Sequence, residues 1–298
     1  MAYGRHQSFY VKSNWINKGI KAVEFDSSLF NSTERYKELG IGKNMFISLK
    51  YWLESLNVVK SNSNKSEFVV TNFGLFIKRF DPTCEKNFTL NLLHYYLTLE
   101  KPINEVEISH TFYYLFNLHE KKAFTKEDLM IDIINWDSTF SSRITSDKTI
   151  LKDIDCLVQT YTKIEKSHPE DHNVSTLAKL GLLKRSKDYF TKTALKLDRV
   201  SKEAFFYMLL RLVEVSDSRY LDLEVIENHS MSPGKIFNLS RIDIIDILEE
   251  MISENFPIVI SRTNNLDTLS ISSFKTSEAY IEECFIKDDL KWFKLEKV

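Results

Sequence analysis

The N-terminal segment Tyr3–Phe9 concentrates side chains that can bind a phosphate or move a proton. Arg5 can hold a phosphate through two hydrogen bonds, and His6 carries an imidazole that can exchange a proton near neutral pH. One interpretation is therefore a DNA-phosphate clamp, with Arg5 and His6 as candidate catalytic residues and Gln7 as a further contact. The other is a polar terminus folded back on its own domain, and the sequence leaves both open.

A second set of polar residues lies on one predicted helix. Lys43 and Asn44 fall in its first turn, where free backbone N–H groups and the positive end of the helix dipole favour a phosphate. Lys50 lies two turns further along the same side. Phosphate contacts give affinity and register, whereas Asn44 and Lys50 could also reach base edges in the major groove. With Lys12, these residues complete the predicted DNA-binding set.

The spacing of acidic, histidine and cysteine residues indicates no metal or thiol site. Asp153 and Asp155 are two positions apart on a predicted helix, so their carboxylates do not face each other. Cys84, Cys156 and Cys284 are too widely separated for a zinc ribbon or a disulfide framework. Neither GxGxxG nor GxxxxGK[ST] occurs, which argues against a nucleotide-hydrolysing enzyme.

The elements that must position these residues follow the order helix, turn, helix, hairpin over residues 32–80. Ser32 can cap a short helix, and Gly40 and Gly42 mark the turn. Two short strands around a turn at residues 61–64 follow the second helix. That helix has one apolar stripe, formed by Met45, Phe46, Leu49, Trp52, Leu53 and Leu56. This order is typical of a winged helix-turn-helix.

The same stripe recurs at Ile150–Tyr161 and, more weakly, at Ile244–Ile252. We therefore predict a mainly α fold of multiple winged helix-turn-helix-like units with short β-hairpin wings. The alternative is that any amphipathic helix can show this spacing. The predicted domains are a basic winged-helix domain (1–80), a helical domain with a second helix-turn-helix (81–170), and a C-terminal helical or winged-helix-like domain (171–298).

The net charge of −2 conceals a split along the chain. Residues 1–80 contain twelve Lys and Arg against six Asp and Glu, so the remainder is acidic. A basic end on an acidic body is expected where one end meets phosphates, which makes DNA the predicted partner. A later basic stretch, 184–202, is either a second phosphate-contacting surface or a solvated strand and loop. No apolar run could span a bilayer, and we predict a cytoplasmic protein without a membrane partner.

Several motifs resemble those of one bacterial family, the SspB family, a domain catalogued as of unknown function that occurs beside DNA phosphorothioation genes. They are Tyr3-Gly4-Arg5-His6-Gln7-Ser8-Phe9, Trp15-Ile16-Asn17-Lys18-Gly19, Leu39-Gly40-Ile41-Gly42-Lys43-Asn44-Met45, Tyr51-Trp52-Leu53, Asp81-Pro82, Leu92-Leu93-His94, Asp153-Ile154-Asp155-Cys156-Leu157 and Ser232-Pro233-Gly234-Lys235-Ile236-Phe237. The matches run in order across almost the whole chain.

The resemblance implies a Mg²⁺-dependent DNA-nicking component of a DNA phosphorothioate modification and anti-phage defence system. Its implied partners are a cysteine desulfurase, an ATPase and a sulfur-transferring adenylating enzyme. The family supplies no catalytic or metal-binding residues that can be placed on this chain. The alternative function is a non-catalytic winged-helix protein that binds DNA as a recruiter or transcriptional regulator.

Overall fold

The computed structural model describes residues 3–62, 64, 66–99, 110–139, 145–162, 175–263, 266–272 and 275–284. Within these ranges the regular structure is mostly helical, with three small antiparallel sheets. The mainly helical fold class predicted from the sequence is thus confirmed. No helix in these ranges combines the length and the apolar character that crossing a bilayer requires.

The helices are α1 Ser13–Phe25, α2 Lys43–Ser55, α3 Asn72–Phe80, α4 Asn87–Thr98, α5 Thr111–Tyr113, α6 Lys126–Ser138, α7 Asp147–Tyr161, α8 Lys202–Ser216, α9 Leu223–Asn228, α10 Pro233–Ile236 and α11 Arg241–Ser253. The strands are β1 Val59–Ser61, β2 Phe68–Val70, β3 Ala123–Phe124, β4 Leu183–Ser186, β5 Tyr189–Lys192, β6 Tyr220–Asp222, β7 Ile258–Thr263 and β8 Leu266–Ile271. Short 3₁₀ segments cover Leu29–Asn31, Thr33–Leu39, Thr176–Leu180 and Leu197–Arg199, and Tyr114–Leu118 forms a π-helical turn.

The chain forms two compact units, Met1–Thr193 and Ala194–Val298. The first unit therefore spans all of the residues predicted as the first and second domains and the start of those predicted as the third. The expected boundary near residue 170 lies outside the described residues, so the three-domain division stays a prediction.

The predicted helix, turn, helix and hairpin are present in the first 80 residues. The short helix is a 3₁₀ helix capped by the Ser32 side chain, and it ends at Gly40, whose φ of +62° is left-handed. α2 then begins at Lys43, and its apolar stripe is buried from Phe46 to Leu56. The hairpin β1–β2 follows. The apolar segment after Gly74 forms α3, which packs so closely that a Cβ on Gly74 would lie 2.3 Å from the Val58 carbonyl oxygen.

The two three-stranded sheets share one topology. In the first unit the strand order is β3-β5-β4, and in the second unit it is β6-β8-β7. Each sheet thus places the first strand beside the third, with helices between the first and second strands. In the first 80 residues the sheet has only two strands, β1 and β2. On the side of β2 where the other sheets have their first strand, the Phe68 N–H donates a hydrogen bond of 2.8 Å to the Ser27 carbonyl. The element order therefore recurs along the chain.

Trp52 lies in the core of the first unit and is fully buried. Its ring packs edge-on against Tyr51 and Phe112, and its Nε1–H donates a hydrogen bond of 2.8 Å to the Phe9 carbonyl. The second unit has its own aromatic cluster, in which Phe206 contacts Phe256 and Tyr280. The core of the first unit thus binds the N-terminal loop directly to α2.

Candidate nucleic-acid interface

One buried carboxylate anchors the N-terminal loop, residues 3–10. Asp153, at the middle of α7, accepts a hydrogen bond from the Gly4 backbone N–H and lies 2.9 Å from His6 Nε2. Its second oxygen accepts a bond of 3.1 Å from the Thr111 hydroxyl. The side chains of His6 and Asp153 have no solvent exposure. The carboxylate thus joins the loop, α5 and α7 at one point, and the two oxygens are already occupied.

His6 uses both ring nitrogens in this arrangement. The Ser8 backbone N–H donates to Nδ1 at 3.0 Å, so Nδ1 carries a lone pair and Nε2 donates its proton to Asp153. Burial lowers the pKa of His6, whereas Cys156 and Asp153 raise it. A raised pKa would place a proton on both ring nitrogens, but the Ser8 N–H can donate to Nδ1 only while the ring is neutral. The hydrogen-bond geometry therefore decides for the neutral ring, in which Nε2 carries the proton. His6 therefore acts as an anchor of the loop.

The backbone of the N-terminal loop is strained, and its path directs neighbouring side chains to opposite sides, into the core or towards solvent. Gln7 and Ser8 have φ values of 50° and 63°, a left-handed conformation that costs on the order of 1 kcal/mol each for residues other than glycine. Two turns, closed by Gln7 N–H to Gly4 and Phe9 N–H to His6, maintain this path. As a result His6 is buried, while Arg5 is exposed and Gln7 is half-buried.

Arg5, Gln7 and Lys50 line one open pocket of about 300 Å³. We call it the Arg5–Lys50 pocket. Its floor is formed by Phe30, Phe46 and Tyr51, and its remaining lining residues are Thr33, Ile47 and Glu54. The structure thus brings together three of the predicted DNA contacts, although they lie on two separate elements.

The two cations of this pocket are held differently. The Lys50 ammonium lies 4.9 Å from the centre of the Phe68 ring, which fixes the side chain by a cation–π contact. Arg5 forms no ion pair with any carboxylate that the structure describes. Tyr51 packs edge-on against His6, with ring centroids 5.7 Å apart, so the anchor of the loop also supports the pocket floor.

The other predicted contacts lie outside the pocket. Lys43 and Asn44 are exposed at the start of α2, and the N-cap Gly42 provides no side-chain cap. The Lys43 ammonium is 2.6 Å from Glu34, whose hydrogen bond raises the pKa of Lys43. Lys12 is half-buried, 5.9 Å from the centre of the Tyr10 ring.

The three helices that carry the recurring apolar stripe, α2, α7 and α11, expose different side chains. α7 is buried on the side of Asp153 and Cys156, where the N-terminal loop covers it. α11 exposes acidic residues, including Asp246, Glu249 and Glu250. Lys148 and Lys152 are exposed on the other side of α7, and Arg241 at the start of α11 is paired with Asp267. α2 differs in that its Lys50 lines the pocket together with Arg5 and Gln7. This convergence of positive charge favours α2 as the helix that meets an anionic partner.

The hairpin β4–β5 carries the basic stretch that the sequence left open. Lys184, Arg185 and Lys187 are exposed and form no ion pair within the described part of the chain, and the Tyr189 ring is 58 % exposed. On the corresponding hairpin of the second unit, β7–β8, Arg262 lies 3.3 Å from Glu249 and 3.9 Å from Asp267. The β4–β5 hairpin therefore carries uncompensated positive charge, whereas on β7–β8 the charge of Arg262 is compensated by neighbouring carboxylates.

A family model described as a protein of unknown function, DUF4007, matches residues 3–285. The chain belongs to this family. Two solved structures share the fold of this DUF4007 chain. A magnesium ion-bound SspB crystal structure matches with a TM-score of 0.83 and 21% identity over 96% of this chain and 88% of that chain. A second SspB crystal structure matches with a TM-score of 0.82 and 20% identity over 97% and 88%. No curated protein matches.

The resemblance to the SspB family that the motifs indicated is confirmed by this similarity, which shows a shared fold. Of the motifs, Tyr3–Phe9 and Asp153–Leu157 lie far apart in sequence and meet through Asp153. Their resemblance to the family therefore corresponds to a physical contact in the first unit.

The described residues of this DUF4007 chain do not provide a protein-made magnesium site. No three His, Cys, Asp or Glu side chains among them lie close enough together to hold a metal ion. Asp153, the carboxylate nearest the loop, already accepts hydrogen bonds on both oxygens. Mg²⁺ needs accessible oxygen ligands, so Asp153 is not an open ligand for that ion, and no chemical step is derived through it.

Several residues of the site were missed by the sequence analysis. Tyr51 and Glu54 follow Lys50 by one and four positions on α2, and helical spacing alone places Glu54 on the same face as Lys50. Thr33 lines the pocket from the 3₁₀ segment. Asp153 was judged only as a metal ligand. Its role as the anchor of a distant loop has no local signal.

Proposed function

We propose that this chain is the DNA-binding component of a DNA phosphorothioate modification and anti-phage defence system. The convergence of Arg5, Gln7 and Lys50 on one open pocket beside the accessible helix α2 carries this proposal. A guanidinium and an ammonium at one rim can hold successive phosphates of a strand, and the Gln7 amide can contact sugar or base.

The recurring element order supports three winged-helix units as the scaffold. In this proposal α2 is the contact helix of the first unit, with Lys43 and Asn44 near the backbone. The corresponding helix of the second repeat, α7, is covered by the N-terminal loop on the side of Asp153 and Cys156. In this proposal the second repeat contributes the β4–β5 hairpin, whose three exposed cations provide a second phosphate contact.

Binding of this kind works through preorganisation. The Asp153–His6 hydrogen bond and the left-handed residues Gln7 and Ser8 hold the loop in one conformation before DNA arrives. Arg5 therefore does not lose backbone entropy on binding. Lys50 is positioned by Phe68 in the same way. His6 is buried with both nitrogens engaged, so its contribution is to position Arg5 and Tyr51 rather than to contact DNA.

DNA nicking with Mg²⁺ is the enzymatic part of the proposal, and it rests on the similarity to SspB, one of whose structures holds a magnesium ion. The proposed partners are a cysteine desulfurase, an ATPase and a sulfur-transferring adenylating enzyme, acting in the cytoplasm. A non-catalytic recruiter or transcriptional regulator is the second candidate. The engaged ring nitrogens of His6, which leave neither nitrogen open for proton transfer to DNA, favour it.

Two assays on the full chain separate these functions. Fluorescence anisotropy with a 20-base-pair duplex at 50 and 200 mM salt measures binding, and we expect affinity to fall steeply with salt. Supercoiled plasmid incubated with Mg²⁺ or with EDTA, with and without the partner proteins, measures nicking. Tight binding without nicked product in every combination would leave the recruiter, and no binding at 50 mM salt would reject both.

A further inference from the structure

We infer that the Arg5–Lys50 pocket receives one unstacked nucleotide of the bound DNA. The inference rests on the proposed DNA binding and adds the chemistry of the ligand. A nucleotide joins an anionic phosphate to a flat base with polar edges. The pocket offers a surface for each of these parts.

The size and the floor of the pocket point beyond a phosphate. A volume of about 300 Å³ lies at the lower end of small-molecule sites, and a phosphate alone would leave most of it empty. Phe30, Phe46 and Tyr51 line the pocket but are at most 5 % exposed, so they close it with a packed apolar base. An apolar base of this kind can contact a flat ring, and it offers nothing to a phosphate.

The polar groups divide between the two parts of a nucleotide. Arg5 and Lys50 carry the positive charge that a phosphate requires. Glu54 lines the same pocket, and a carboxylate repels a phosphate but accepts a hydrogen bond from an exocyclic amino group. The Gln7 amide can pair with adenine, and Glu54 with cytosine. The pocket therefore suits amino-bearing bases better than thymine.

The pocket is also held rigid on the side that would meet the base. His6 supports Tyr51 edge-on, and the buried bond to Asp153 holds His6. A rigid pocket loses little conformational entropy when it binds, which lowers the free-energy cost of binding an unstacked base. Loop strain at Gln7 and Ser8 is maintained by this same framework.

The test compares duplexes that differ in one extrahelical nucleotide. Full-length protein is titrated with a fully paired duplex and with duplexes that carry a single adenine, cytosine or thymine bulge. We expect the adenine and cytosine bulges to bind on the order of tenfold more tightly than the paired duplex, and more tightly than the thymine bulge. The thymine bulge carries the same charge, so it controls for the added phosphate.

A pocket-filling variant locates the effect. Ile47→Trp should remove the preference for a bulge, because Ile47 lines the pocket and the larger ring would occupy the space of the base. The readout is the ratio of the affinities for bulged and paired duplex, both measured on the same variant. Ile131→Trp, at an exposed position on α6, is the matched control and should keep the preference. If Ile47→Trp lowers the melting temperature, Thr33→Trp fills the pocket from an exposed position.

The outcomes separate the inference from the proposed function. Equal affinity for paired and bulged duplexes would overturn the nucleotide pocket and leave DNA binding intact. A preference that survives both filling variants would also overturn it, because the base would then lie elsewhere. No binding of any duplex at 50 mM salt would overturn the proposed function itself.

Discussion

His6 and Asp153 stand 147 positions apart in the sequence and meet in the core, with Nε2 2.9 Å from Oδ1. This bond attaches the N-terminal loop to helix α7. The loop carries Arg5 and Gln7, which line the pocket with Lys50. A surface proposed to contact DNA thus depends on a carboxylate that no solvent molecule can reach.

Asp153→Asn should weaken both stability and DNA binding. The variant removes the charged acceptor of a buried hydrogen bond, which typically costs about 2–3 kcal/mol of unfolding free energy. The freed loop should then lose the preorganisation of Arg5, and the duplex affinity should fall several-fold. Urea denaturation and anisotropy measure the two effects, and exchange of the Gly4 amide with deuterium reports loop release.

Asp155→Asn is the control for this prediction. Asp155 lies on the same helix but is half-exposed and paired with Lys126, so its loss should cost less than about 1 kcal/mol. Equal effects of the two variants would contradict the role assigned to Asp153.

The local part of this architecture could be predicted from the sequence. The stripe from Met45 to Leu56 has the helical period, and Gly40 marks the turn, so α2 and its start at Lys43 follow from neighbouring residues. The secondary structure of the apolar segment Leu75–Phe80 could not be predicted in this way. The segment has no clear strand or helix period, and the Thr71 side chain, which caps the Gly74 N–H, decides for the helix α3.

The rest could not be predicted, because it depends on contacts between distant residues. The sequence left a phosphate clamp and a folded-back terminus as alternatives for residues 3–9. In the structure the loop folds back through His6 and Gly4 while Arg5 stays exposed. α1 was not predicted at all. Its Gly19 allows a close approach to α2, since a Cβ there would lie 2.4 Å from the Leu53 side chain.

Removing one pocket cation should change the salt dependence of DNA binding. Arg5→Ala and Lys50→Ala should each flatten the slope of log affinity against log salt by about one. Lys43→Ala should flatten it less, because Glu34 already neutralises that ammonium and must be displaced by the phosphate. Anisotropy titrations between 50 and 300 mM salt give these slopes.

Lys21→Ala serves as the control, since Lys21 is exposed on α1 away from the pocket lining. Wild-type slopes in both pocket variants would show that the pocket does not meet phosphates.

The β4–β5 hairpin should contribute to binding, and its counterpart β7–β8 should not. Lys184→Ala combined with Arg185→Ala removes two exposed cations without ion-pair partners in the described residues, so affinity should fall across DNA sequences and the slope should flatten by about two. Arg262→Ala, on β7–β8, removes a cation already paired with Glu249 and should leave both quantities unchanged. Anisotropy under the same conditions compares them, and a larger loss in Arg262→Ala would contradict the assignment.

Stability of the first unit should fall on mild acidification because of His119. Burial, followed by the charge of Lys192, lowers the pKa of His119 to about 4, although Nδ1 lies 3.4 Å from Asp132. In the unfolded chain the imidazole of His119 therefore binds a proton as the pH falls below about 6.5, whereas in the folded chain it does so only below about pH 4. The stability gained from the neutral ring is complete above the unfolded pKa and is lost as the pH falls through this window.

Between pH 7.5 and pH 5 this loss amounts to about 2 kcal/mol of unfolding free energy. In His119→Gln, which cannot titrate, the same acidification should cost correspondingly less, although the variant is less stable throughout because the ring packs against Phe124. Urea denaturation at several pH values measures the difference. Equal pH dependence in the wild type and in His119→Gln would mean that the folded protein protonates His119 as readily as the unfolded chain does.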